Sequence, residues 1–161
     1  MKRISLLVVC VILMSCNSSA QDKNKEKIYS VNKTEAQWKA ELDTMEYHVL
    51  REAGTERAFS SELNKVNKKG VYACAACGTS LFKSDHKYDS GSGWPSFDRE
   101  IKGNVAFSVD YNNGYARTEE HCANCGGHLG HVFDDGPKTT GKRHCVNGAA
   151  LDFIPIEIKN D

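Results

Sequence analysis

The sequence predicts a small, mainly β domain of the α+β kind, with an antiparallel sheet region stapled from within and short helices ahead of it. Three observations carry this reading. Two capping signals, Thr34 with Gln37 and Asp43 with Glu46, open two helical stretches early in the chain. After Gly70 the texture changes to short β-rich runs broken by turns, two of them flanking Asn112-Asn113-Gly114. Cys74-Ala-Ala-Cys77-Gly78 and Cys122-Ala-Asn-Cys125-Gly126 repeat one pattern within that β region. No internal repeat is visible, and no strand–helix alternation points to a parallel sheet.

The first residues are expected to lie outside the fold. Met1-Lys2-Arg3 is a short positive start, and Ile4 to Met14 is an almost unbroken apolar run, too short for a hydrocarbon layer of about 30 Å. Residues 1–15 therefore read as a signal peptide. Leu13-Met14-Ser15-Cys16 looks like the end of a bacterial lipoprotein signal, in which Cys16 is acylated and becomes the new N-terminus. Met14 is a less usual occupant of that pattern, and ordinary cleavage nearer Ala20 is the alternative. On the first reading the protein is exported and anchored by lipid to a membrane, facing the bacterial periplasm or exterior. Residues 16–30 hold the lipidated cysteine and a polar, Ser/Asn/Lys-rich tether without periodicity. The domain proper spans 31–161.

Over the whole chain hydrophobic residues at 40% and charged ones at 26% support a packed core without disorder over most of the length. Lys+Arg and Asp+Glu both total 21, so no basic excess points to a nucleic-acid partner. Loss of Lys2 and Arg3 with the leader takes the 21 basic residues to 19 against 21 acidic ones, a mildly acidic composition compatible with a monomer.

Within the domain, helices are expected over roughly 35–42 and 44–53, with Trp38, Leu42, Met45 and Val49 at core spacing and Gly54 as the stop. Val105–Tyr111 and Tyr115–Glu119 form the arms of a hairpin. His128–Phe133, Arg143–Asn147 and Leu151–Ile154 are further strands.

Cys74, Cys77, Cys122 and Cys125 are candidate metal ligands. Two residues between cysteines let both sulfurs reach one tetrahedral ion, and glycine after each pair permits the tight turn. Two such pairs make a four-thiolate Zn2+ signal. Four protein ligands leave no open coordination position, so the ion is structural and ties the intervening loop shut. The rivals are a disulfide framework, which export permits, and a thioredoxin-type redox Cys-x-x-Cys, which wants an α/β pattern not seen here.

With Cys10 in the leader, Cys16 at the anchor and four cysteines in the knot, Cys145 stands alone in Lys142-Arg-His-Cys-Val-Asn-Gly148. On an extended segment Arg143, Cys145 and Asn147 share a face, placing a thiol between a cation and an amide. A neighbouring cation favours thiolate, the reactive form; the plainer reading is a buried cysteine packed as a small hydrophobe. His128 and His131 are three apart, which a regular strand sends to opposite faces, and Gly130 between them permits a bulge that turns both to one pocket. Trp94, held between Gly93 and Pro95, is either a core plug or the wall of a small apolar pocket.

The segments GTERAFS (54–60), GVYACAACGTSLF (70–82), KYDSGSGWPSF (87–97), EEHCANCGGHLGHVFDDGP (119–137) and GKRHCVNGAALDFIP (141–155) resemble, in order, those of the methionine-R-sulfoxide reductases of the MsrB type. The resemblance covers nearly everything from about residue 34 onward. It implies that Cys145 attacks the sulfur of a methionine sulfoxide in a peptide or protein, leaving a sulfenic acid. By the same analogy His128 and His131 bind and protonate the departing oxygen, Asn147 orients that network, Trp94 holds the S-methyl group, and Arg143 supports the thiolate beside the substrate. Many family members carry a resolving cysteine where this chain has Ser92, which implies re-reduction by an external thiol, thioredoxin-like or a small molecule. His144 and Gly148 stand where the family more usually has Tyr and Ser. Two other function classes use part of the same sequence: a zinc-stapled module that binds methionine-containing segments without turnover, and a thiol–disulfide exchanger working through the Cys-x-x-Cys pairs. Neither uses Cys145, both histidines and Trp94 together.

Overall fold

The computed structural model describes residues 28–112 and 114–156. The stretches expected to be a signal peptide and most of a tether, with Cys16, and Asn113 between the hairpin arms lie outside the described residues.

Helix α1 spans Glu35–Glu41 and α2 spans Thr44–Glu52, each opened by the capping box that the sequence predicts. Asp43 Oδ1 accepts from the amides of Met45 and Glu46 at 2.7 and 2.8 Å, while the Asp43 amide donates to Glu46 at 2.9 Å. Such a cap is worth about 1 kcal/mol. Trp38, Val49 and Leu50 are buried, but Met45 is 46% exposed. Leu42 leaves the helix in an extended conformation, so the turn between the helices resets the phase of the apolar stripe. The left-handed residue that ends α2 is Ala53, at φ 53°, and not Gly54. Gly54 follows it, with the His48 ring lying over the position a Cβ would take.

The rest of the domain is two antiparallel sheets. Strands β1 (Gly70–Cys74), β2 (Ser80–Lys83) and β9 (Leu151–Pro155) form the smaller, in the order β2-β1-β9. The larger joins β3 (Lys87–Tyr88), β4 (Ser96–Phe97), β5 (Val105–Asp110), β6 (Arg117–Cys122), β7 (His128–Phe133) and β8 (Arg143–Val146) in the order β3-β4-β8-β7-β6-β5. The second arm of the hairpin starts later than the sequence suggests, because Asp110 pairs with Arg117 and leaves six residues to the turn. Phe82 stacks on Phe97 with centroids 4.4 Å apart, and Tyr72 meets Phe97 edge-on at 4.9 Å. Leu81, Leu129 and Val146 complete this core, fully buried. Among the described residues no helix is long and apolar enough to cross a membrane.

Two features of this scaffold place the side chains of interest. His131 on β7 lies directly opposite Cys145 on β8 and Glu119 on β6, so the three share one face of the sheet. The β6–β7 register shifts beside Gly130: Glu120 pairs with Gly130, but His121 pairs with His128. That extra residue in β7 is the expected bulge, and it turns His128 to the same side as His131.

Candidate active site and metal knot

The two Cys-x-x-Cys turns converge where β1 and β6 end. Gly78 and Gly126 adopt φ 71° and 73°, and their amides donate back to the carbonyls of Cys74 and Cys122. The four sulfurs lie within 4.8 Å of one another, with Cys74–Cys125 at 3.7 Å and Cys77–Cys122 at 3.6 Å. A tetrahedral ion with metal–sulfur bonds of about 2.3 Å needs sulfurs about 3.8 Å apart. All four cysteines are free rather than bridged, so the disulfide framework is not what the structure shows. Hydrogen bonding among the sulfurs pulls Cys77 and Cys122 down and pushes Cys74 and Cys125 up from the usual thiol range. Only a cation at the centre lets all four ionise. The cluster can therefore hold a metal ion.

On the opposite side of β7 from the core, Cys145 opens onto a cavity of about 150 Å³ together with Trp94, His131 and Asn147. Thr55, Arg117 and Phe133 complete its wall. Gly130 also lines it, and is there because a side chain would collide with the carbonyl oxygen of Cys145 on β8. The Trp94 indole is fixed by donating from Nε1 to the carbonyl of Glu56 at 3.1 Å. Trp94 is thus a pocket wall and not a core plug.

His128 does not line the cavity; it lies behind His131, only 5% exposed, with ring centroids 5.5 Å apart. Each imidazole has its own carboxylate. His128 Nδ1 lies 2.7 Å from Glu119, and His131 Nε2 is bonded to Asp110, which Arg117 also holds at 3.1 Å. The His131 contact holds the Asp110 carboxyl down to about 2, and the His128 contact does the same for Glu119, also to about 2. An ionised carboxylate only accepts, so the protons sit on His131 Nε2 and His128 Nδ1. The second nitrogen of each ring is left for other partners.

The thiol itself is not held as a resting thiolate. Burial pushes Cys145 above its ordinary value, and the Ser92 hydroxyl and Arg143 pull it the other way without prevailing. The cation expected from the sequence acts in the expected direction, but desolvation outweighs it. Arg143 does not reach the cavity wall: its guanidinium makes two 2.8 Å bonds to Asp135 and lies over the Phe133 ring, 4.4 Å from the centroid. Ser92 Oγ sits 3.8 Å from Cys145 Sγ, at the head of a hydroxyl chain through Ser90 to Ser96.

A model of the SelR domain matches residues 42–155. The chain belongs to the SelR-domain family. It is 55% identical over 126 residues, 78% of this chain and 96% of the relative, to the peptide methionine sulfoxide reductase MsrB of Leptospira interrogans. It is 51% identical over 127 residues, 78% of this chain and 94% of the relative, to the protein of the same name from Agrobacterium fabrum. With the mouse mitochondrial methionine-R-sulfoxide reductase B3 it shares 44% identity over 142 residues, 88% of this chain and 55% of that protein.

Several residues of this SelR domain around the cavity escape a reading of the sequence. Asp110 and Glu119 sit on the hairpin arms without a pattern that marks them, and become specific only once the sheet brings Glu119 to His128 and Asp110 to His131. Glu56 lies in the GTERAFS stretch, but its bond to Asn147, 91 residues away, is marked by no local pattern. The two departures near the nucleophile also gain an explanation. His144 points to the other face of β8, where Nδ1 lies 2.7 Å from the fully buried carboxylate of Glu120. At Gly148 a side chain would collide with Ser61.

Proposed function

We propose that this SelR domain reduces the R epimer of peptide-bound methionine sulfoxide to methionine, with Cys145 as nucleophile. The observation that supports this most directly is the one cavity shared by the Cys145 thiol, the Trp94 ring, His131 and the Asn147 amide. The Cys145 sulfur bonds to the sulfoxide sulfur as the S–O bond breaks, and the oxygen takes protons and leaves as water, because an unprotonated oxygen leaves poorly. Water then attacks the Cys145 sulfur, the S–S bond breaks with its electron pair going to the methionine sulfur, and a proton is released. The net step converts the thiol and sulfoxide into a sulfenic acid and a thioether, two electrons passing from Cys145 to the substrate. His131 is the proton donor at the cavity wall, held there by its bond to Asp110, and His128 stands behind it on Glu119. Trp94 receives the S-methyl group, and Asn147 orients the reacting oxygen. The R preference is inferred from the name of the mouse relative.

Re-reduction falls to an external thiol, thioredoxin-like or small. A cysteine in place of Ser92 would be within reach of Cys145, but a hydroxyl 3.8 Å away cannot form a disulfide. Two equivalents of thiol return the sulfenic acid to thiol with release of water and one disulfide. Cys74, Cys77, Cys122 and Cys125 would hold Zn2+, which supplies a cross-link between the ends of β1 and β6 and no chemistry in the cavity. The N-terminal pattern supports export with acylation at Cys16, testable by loss of metabolic lipid label in Cys16→Ser.

The deciding experiment is turnover of a peptide carrying either epimer of methionine sulfoxide with dithiothreitol as reductant. Activity on the R epimer that vanishes in Cys145→Ser is the expected result. Activity confined to the S epimer, or retained in that variant, would overturn the assignment.

A further inference from the structure

We infer that Glu56 is a positioning residue, one that locks Asn147 and Trp94 into place beside Cys145. The inference rests on the reading of that cavity as the active site. Glu56 is 6% exposed and lies on the segment between α2 and β1, far in sequence from every residue it holds. Its backbone and side chain are each committed to a different part of the cavity wall. Its amide donates to Asn147 Oδ1 at 3.0 Å. Its carbonyl accepts the Trp94 indole N–H at 3.1 Å. Its carboxylate accepts the amides of Gly148 and Ala149 at 2.5 and 3.1 Å.

Those last two amides open the single 3-10 turn Gly148–Ala150 that follows β8, where N–H groups lack partners within the turn. Asn147 occupies the capping position but makes no side-chain cap, because Glu56 caps the turn instead. The Asn147 carboxamide is thereby released for the cavity. Its Oδ1 is taken by Glu56, and one Nδ2 hydrogen goes to the carbonyl of Leu129 on β7 at 2.9 Å. A carboxamide has two N–H groups, so one donor remains, and its direction is set by the other two bonds. The amide therefore presents a single oriented N–H to a reacting oxygen.

A buried carboxylate that accepts two backbone amides cannot be replaced by an amide of the same shape. In Glu56→Gln one oxygen becomes an NH2 group that faces an N–H, donor against donor. The turn then moves away, carrying Asn147 and loosening the Trp94 anchor. A displacement near 1 Å at such groups lowers turnover on the order of 100-fold.

The test compares wild type, Glu56→Gln and Cys145→Ser, all zinc-loaded, on a methionine-R-sulfoxide peptide with dithiothreitol, alongside nitrogen–proton spectra of the indole and side-chain amides. The Trp94 indole resonance is assigned by its loss in Trp94→Phe, and that of Asn147 by its loss in Asn147→Ala. Expected for Glu56→Gln are a kcat/KM lowered roughly 100-fold, with kcat carrying part of the loss, and displaced Trp94 and Asn147 resonances. A merely structural Glu56 would lower the melting temperature and leave kcat, KM and both resonances of the folded enzyme at wild-type values, which overturns the inference. An inactive wild type would instead sink the assignment of Cys145, and the resonances would still decide Glu56. Should Glu56→Gln fail to fold, Glu56→Asp, which keeps the charge but withdraws it by one methylene, is held to the same readouts.

Discussion

Adding one methyl group at Gly130 should disable the cavity while leaving every reactive side chain that lines it unchanged. An ideal Cβ there would meet the carbonyl oxygen of Cys145 about 1 Å inside the 3.0 Å floor for such contacts, and would also reach the carbonyl carbon at 3.0 Å and the Val146 Cα at 3.2 Å. All three obstacles are backbone atoms, so no side-chain rotation relieves the overlap. The β7 and β8 backbones must part by about 1 Å at the very pair that sets His131 opposite Cys145. Overpacking of this kind costs about 1–3 kcal/mol. At roughly 4 °C per kcal/mol for a domain of this size, Gly130→Ala should melt about 4–12 °C lower. A separation of about 1 Å between nucleophile and proton donor should also reduce kcat/KM on the order of 100-fold. The assay is thermal unfolding of the metal-loaded protein together with steady-state reduction of a methionine-R-sulfoxide peptide. A Gly130→Ala protein that melts and turns over like wild type would refute the reasoning, since it would mean that the two strands have slack where the structure allows none.

Three further outcomes follow from the same geometry. Asp110 and Glu119 have carboxyls depressed to about 2, so the stability they confer is present above their unfolded values of 3.8 and 4.5 and is lost as pH falls through about 2. Thermal unfolding across pH 5 to 2 should therefore show an acid limb that flattens in an Asp110→Asn, Glu119→Gln double variant; an unchanged limb would place the lost protons elsewhere. Purified protein should carry one zinc per chain, and Cys122→Ser should lose both the metal and most of the thermal stability; a metal-free wild type with two disulfides would contradict the knot. In Ser92→Cys the introduced thiol lies near Cys145, where Ser92 Oγ is now 3.8 Å from the sulfur, and one turnover should leave an internal disulfide visible by peptide mass. If that variant still accumulates free sulfenic acid, the loop holds position 92 away from the nucleophile.

The helices, the strands that end the chain and the cysteine knot were legible because each rests on a local rule. Thr34 and Asp43 cap within three residues, His128–Phe133 and Arg143–Val146 are short β-rich runs, and each cysteine pair with its glycine closes a turn on itself. The misplaced details share one cause as well. The apolar spacing that points Met45 inward runs across the break at Leu42, where a three-dimensional turn and not the periodicity decides the phase. The charge beside the Cys145 sulfur is written in the sequence, whereas the desolvation that outweighs it is not.

By itself the sequence determined which chemical groups are present, the order of the elements, the face shared by Cys145 and Asn147, and the four cysteines of the knot. All of these depend on spacings of a few residues, over which backbone geometry leaves few choices. Tertiary structure alone decided which carboxylate answers which imidazole, that Trp94 is a wall, that Arg143 is turned to Asp135, and that Glu56 spans 91 residues to Asn147. Those pairings arise from strand register and close packing between segments distant in the chain, and free energy at such contacts depends on burial and direction that no short stretch of residues encodes.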